Sequence, residues 1–112
     1  MYTVEELSQV AMKIILHAGN GREHVENALH ALEEHLDHEE FERLMKEANK
    51  EIKEAHKAQT DIIQSTIEEE NMTYTLLFSH AQDTLMTIIS EYNVAKHLGK
   101  LYEIVIERTK TS

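Results

Sequence analysis

The chain has no cysteine, no proline and no tryptophan, and only three glycines. Lack of cysteine excludes disulfides, thiolate metal ligands and a cysteine nucleophile. Lack of proline removes the strongest interruption to a helix. Aromatics make up 5% of the residues, and no segment alternates with a strand's period of two. No apolar run approaches the roughly 18 residues of a membrane span. Basic residues are outnumbered, 11 against 21 acids, for a formal net charge of −10. That balance argues against nucleic acid and anionic membrane as partners, since both reward basic surfaces. It favours partners that carry basic patches.

What is abundant is Ala, Leu, Glu, Lys, Met and Gln, the residues that lose least on entering a helix. The expected class is therefore all-α, and 112 residues make one domain, 1–112, with a single core. The opening "MYTVEELSQV" has acids where a secretory signal carries bases. With the missing cysteines, it points to the cytoplasm.

Heptads begin at once. Val4, Ala11, Ala18, Val25 and Leu32 fall seven apart, with Leu7, Ile14, Gly21 and Ala28 between them. This is a bundle-type stripe over about residues 3–35. Gly19 and Gly21 either bend that helix or admit another backbone. A second stripe joins Phe41, Ala48, Ala55 and Ile62 to Met45 and Ile52, and predicts a helix over about 38–68. The turn falls near Leu36 to His38, and the acids after it favour a helix start. After "IEEENMT", with Asn71 or Thr73 as candidate N-cap, a third helix is expected over about 73–106. "ERTKTS" reads as a frayed polar tail. Three helices on short turns give an up-down-up antiparallel bundle.

The third helix is unusual. From Asn71 to Ser90 the only fully charged side chain is Asp83. At about 100° per residue, Leu77, Phe78, Ala81, Leu85, Ile88 and Ile89 fill a core arc. The opposite arc holds Leu76, Ser79, His80, Asp83, Thr84 and Thr87, with Met86 at its edge. Elsewhere an outer face in this chain carries Glu and Lys, as in "MKEANKEIKEAHK". A charge-poor, half-polar face suits a surface half buried against another subunit. The plainer reading is a mildly polar solvent face.

Most of the other histidines (His17, His24, His30, His35, His38, His56, His97) stand among Glu and Lys, as solvated side chains would. His80 has Leu76, Leu77, Asp83 and Thr84 around it, and reads either as a hydrogen-bonded structural residue or as a nucleophile. Asp83 has no Lys or Arg within a helical turn. If buried, its charge must be paired or metal-bound. One solution is a His80–Asp83 pair. Another is three copies about an axis, with three carboxylates around one hard cation.

Other chemistries fall away. None of the residues three before a histidine is Glu, so the Glu-x-x-His motif of a di-iron bundle is missing. "HAGNGR" lacks the spacing of a phosphate-binding loop and follows no strand. His35 and His38, three apart in an acidic patch, could take up stray zinc or nickel, but two ligands do not make a site.

"LHAGNGR" (Leu16 to Arg22), "MKEANKEIKEAHKAQTDIIQ" (Met45 to Gln64) and above all "HAQDTLMT" (His80 to Thr87) carry a family resemblance. The chain resembles, over essentially its whole length, the lactose/cellobiose-type IIA component of the phosphoenolpyruvate-dependent sugar phosphotransferase system. The resemblance implies a homotrimer of three-helix subunits, nine helices in all. It makes His80 the phosphoryl acceptor through Nε2, a tele-phosphohistidine, with Gln82 in a supporting role. It makes Asp83 a metal ligand, one per subunit at the threefold axis, holding one structural divalent ion, magnesium, per trimer. Its implied partners are the phosphocarrier HPr upstream, a cysteine of the IIB component downstream, and the membrane IIC component indirectly. The implied activity is that of a phosphotransferase component in uptake of a β-linked disaccharide of the lactose, cellobiose or chitobiose class. It implies neither nucleic-acid binding nor membrane insertion.

That role suits the residues. Imidazole, with an ordinary pKa of about 6.5, is largely neutral and nucleophilic near pH 7. Phosphoryl transfer needs in-line positioning and charge stabilisation more than covalent help, and a rigid helix wedged between subunits supplies position. Hydroxyls at Ser79, Thr84 or Thr87 have the spacing to meet a phosphate. The competing expectation is a non-catalytic helical oligomeric interaction protein, with His80–Asp83 as a structural pair.

Overall fold

A computed structural model describes residues 2–68 and 76–111, with three helices and no strand among them. Helix α1 runs Val4–His35, α2 runs His38–Glu68 and α3 runs Leu76–Thr111. The expected N-cap at Asn71 or Thr73, and the expected start of the third helix at 73, lie outside the described residues.

Each end has a local cause. Thr3 caps α1 in a capping box: Glu6 N–H donates to Thr3 Oγ1 (3.1 Å) and Thr3 N–H donates to Glu6 Oε1 (3.0 Å). Leu36 ends α1 in the left-handed region, φ 52°, with its N–H donating to the Leu32 carbonyl (3.2 Å) and the Asp37 N–H donating to that of Ala31 (3.0 Å). Asp37 then opens α2, its Oδ1 accepting from Glu40 N–H at 3.0 Å. The chain thus reverses in two residues, Leu36 and Asp37. At the other end, α3 runs on to Thr111, past the expected end near 106. The segment read as a tail is helical, because Glu107, Arg108 and Lys110 are good helix formers. Arg108 and Lys110 also lie in the last turn, where cations complement the helix dipole.

Direction follows from contacts. His17 meets Glu51, and Gly21 lies against Ala48 and Ile52, so α2 runs back along α1. His38 meets Glu103 and Phe41 meets Gly99, so α3 runs back along α2. Arg22 meets Glu91 and Leu36 meets Tyr102, placing α3 parallel to α1. The architecture is up-down-up and antiparallel.

The core lies in two parts along the rod. One joins Leu7, Ile14, Ile52, Ile62, Phe78, Leu85 and Ile88. The other joins Val25, Leu32, Phe41, Met45 and Ala95. Burying a side chain of the size of Phe78 or Leu85 contributes about 1.5–3 kcal/mol. Gly21 resolves the question of the paired glycines: it is buried, and a Cβ there would lie 3.4 Å from Ile52 and 3.6 Å from the Ala48 carbonyl. The backbone of α2 approaches there, and α1 continues unbroken. Gly19 has nothing within 4 Å. No helix among the described residues is long and apolar enough to cross a membrane.

Candidate functional site

The bundle is 64 Å long and only 20 by 18 Å across, so each helix can bury one side. On α3 that side is the arc expected from the sequence: Phe78, Ala81, Leu85 and Ile88 are buried, and Leu77 and Ile89 pack against them. The other side carries a stripe at heptad spacing. It starts at Leu76, passes His80, Asp83, Thr87 and Ser90, and continues through Val94, Leu98, Leu101 and Val105. All of these are exposed in the single chain; Leu76 is 91% exposed, Val94 57%, Leu101 57% and Val105 60%. Helix periodicity alone puts the histidine and the aspartate in line with this apolar row.

His80 and Asp83 both point outward. Among the described residues no hydrogen bond or ion pair joins them, so the expected buried structural pair is not formed in the single chain. The two side chains stand exposed on the outer face of α3. The hydroxyls next to them are engaged with the backbone: Thr84 Oγ1 donates to the His80 carbonyl (2.9 Å) and Thr87 Oγ1 donates to the Asp83 carbonyl (2.9 Å). Their protons thus serve the helix rather than an outside ligand. Gln82 is half-buried, about 200° around the helix from His80.

The other histidines are differently placed. His17 Nδ1 lies 2.5 Å from Glu51 in a half-buried pair between α1 and α2. His30 and His35 lie beside Glu34, at 3.6 and 4.0 Å. His35 and His38 have no partner in common among the described residues. His38 turns instead towards Glu42 (3.7 Å) and Glu103 (3.6 Å), since the turn at Leu36 and Asp37 sends the two histidines to different sides.

A carboxylate is a suitable donor for a hard cation, and no basic side chain is paired with Asp83 among the described residues. One chain supplies one such carboxylate on this stripe. The donor chemistry fits a shared divalent ion, and a full ligand set requires further copies.

An all-helical bundle with a histidine on a charge-poor outer stripe is the class that fold and site define. The description "PTS system, Lactose/Cellobiose specific IIA subunit" matches residues 9–103. A Lichenan-specific phosphotransferase enzyme IIA component of Bacillus subtilis (strain 168) is 37% identical over 108 residues, 96% of this chain and 97% of that one. The crystal structure of PtcA from S. mutans superposes with a TM-score of 0.87 at 36% identity, covering 91% of this chain and 99% of that one. That of the PTS cellobiose-specific enzyme IIA from Bacillus anthracis gives 0.83 at 33% identity, covering 96% and 95%. The chain belongs to the lactose/cellobiose-specific IIA family of the phosphotransferase system.

Proposed function

We propose that this IIA component is a phosphocarrier in which His80 takes a phosphoryl group from phospho-HPr and passes it to a cysteine of its IIB partner. The observation that carries the reading is the exposed His80 ring, with no side-chain bond to a neighbour among the described residues, on a helix whose sequence around it holds almost no charge. The lone pair of neutral Nε2 attacks phosphorus in line as the phosphorus–nitrogen bond of the donor breaks. Nδ1 keeps its proton. In the second step the cysteine thiolate attacks the same phosphorus and the His80–phosphorus bond breaks, returning the neutral ring. Gln82, on the half-buried flank of α3, supports the helix rather than the phosphate.

The working form is a homotrimer of nine helices. Its seam covers the exposed row at Val94, Leu98, Leu101 and Val105, and leaves His80 at the edge of that seam, reachable by a donor. Partly apolar walls there keep out the water that would hydrolyse the phosphoramidate. Asp83, one from each subunit, would hold a structural magnesium ion on the axis. When bound, the ion neutralises three clustered carboxylates. The pathway served is uptake of a β-linked disaccharide through the membrane IIC component, in the cytoplasm, consistent with relatives named for lichenan and cellobiose.

Incubation with phosphoenolpyruvate, the general phosphotransferase enzyme and HPr tests this. One acid-labile, base-stable phosphate per chain is expected, and none in His80→Ala. Label retained by His80→Ala would move the acceptor elsewhere. No label on the unaltered chain would end the carrier reading.

A further inference from the structure

We propose that His38, Glu42 and Glu103 form a zinc-binding site that clamps the start of α2 to the last third of α3. One ligand atom from each of the three lies within 4.8 Å of the other two. His38 and Glu42 come from the first turns of α2, four apart, and Glu103 comes across from α3, so the cluster exists only in the folded bundle. One imidazole nitrogen and two carboxylates suit zinc, whose bonds of about 2.0–2.2 Å leave a fourth position for water. Tetrahedral ligands at that radius lie about 3.4 Å apart. Glu42 now faces Nδ1 (3.7 Å) and Glu103 faces Nε2 (3.6 Å), so one of these two carboxylates, both more than half exposed, swings to the ring nitrogen that the other already faces.

The ring is already oriented. It stacks on Phe41 (centroids 5.7 Å apart) and lies almost parallel to Tyr102 (5.9 Å, 4°). Tyr102 is fixed in turn, its hydroxyl donating to the Leu36 carbonyl at 2.9 Å. Outer contacts that hold a ligand ring raise metal affinity. Lys46, Lys96 and Lys100 line the same groove. Yet among the described residues neither Glu42 nor Glu103 is ion-paired with a lysine, and both converge on His38 alone. Two carboxylates facing one ring have room for a cation. Glu103 lies twenty residues beyond Asp83, about 200° around α3, so the site is separate from the proposed seam and does not depend on it.

The test uses the full chain, stripped of metal, titrated calorimetrically with zinc chloride in a non-coordinating buffer, with thermal unfolding in parallel. One zinc per chain and a raised Tm are expected. His38→Gln and Glu103→Gln should each weaken binding at least tenfold and abolish the Tm rise, whereas His35→Ala should leave both intact. Glu103→Gln alters an exposed residue and keeps the fold, so it decides the matter if His38→Gln does not fold. Zinc bound as tightly by Glu103→Gln, zinc lost in His35→Ala, or no stoichiometric uptake by the unaltered chain would each overturn the site.

Discussion

The ring of Phe41 fills the space that any side chain at position 99 would need, and Gly99 is what lets α3 pass over it. Phe41 is 5% exposed and belongs to the second half of the core, so it has little room to withdraw. Gly99→Ala should gain about 1 kcal/mol in helix propensity. Against this stands overpacking, which costs about 1–3 kcal/mol. The expected result is a net loss on the order of 1 kcal/mol, read as a lower midpoint in urea with unchanged slope. A stabilised Gly99→Ala would mean that Phe41 moves aside freely.

Leu36 offers the opposite case. Its φ of 52° puts a branched side chain in the left-handed region, where a non-glycine residue costs about 1–2 kcal/mol. The side chain is 67% exposed and contributes little packing. The capping bonds come from the backbone N–H groups of Leu36 and Asp37, which the change to glycine leaves in place. Leu36→Gly should therefore stabilise by about 0.5–1 kcal/mol, after the entropy that glycine adds to the unfolded chain. Denaturant midpoints of the two proteins check this.

The helices that end where the sequence suggests are those whose signals are local. Thr3 with Glu6, and Asp37 with Glu40, are short-range capping pairs, and the heptads of α1 and α2 are periodic enough to mark their inner faces. The end of α3 was less readable, because beyond Ile106 no apolar residue continues the pattern and helix formers alone extend it. The outward stripe of α3 was readable around His80 and Asp83 because charge is missing there. Its continuation through Val94 and Leu101 was not, since apolar residues near a helix end look like core until the bundle's thickness is known. The approach of Glu103 to His38 was beyond reach. It depends on how two helices are set side by side, with the two residues 65 apart in the chain.

The capping box predicts a local response to acid. Hydrogen bonds from the Thr3 backbone and side chain hold the Glu6 carboxyl below its ordinary value of 4.5. A depressed pKa in the folded state means stability that is present above the ordinary value and lost as pH falls through the lowered one. The first turn of α1 should therefore loosen below about pH 4.5, ahead of the core. Amide exchange at Glu6 and Leu7 reports it. Glu6→Gln removes the charge, so its first turn should be looser at neutral pH and nearly insensitive to acid over the same range. An acid response unchanged in Glu6→Gln would place its origin elsewhere.

The two parts of the outer stripe should respond differently to substitution. Val94, Leu98, Leu101 and Val105 are exposed in the single chain, so replacing them removes little from its own core. Leu98→Glu with Leu101→Glu should leave helicity intact and convert the assembly to the 13.0 kDa chain in sedimentation. Six glutamates brought together at a threefold seam would repel one another without a counter-charge. Asp83→Leu should do the reverse: on the proposed trimer, whose seam rests on apolar burial, the assembly should persist while the proposed divalent ion is lost from elemental analysis. Dissociation of Asp83→Leu into single chains would show that the ion, not the apolar row, holds the subunits together. A trimer that survives both glutamates would place the seam on another face, and His80 would then lose the shelter that the proposed transfer requires.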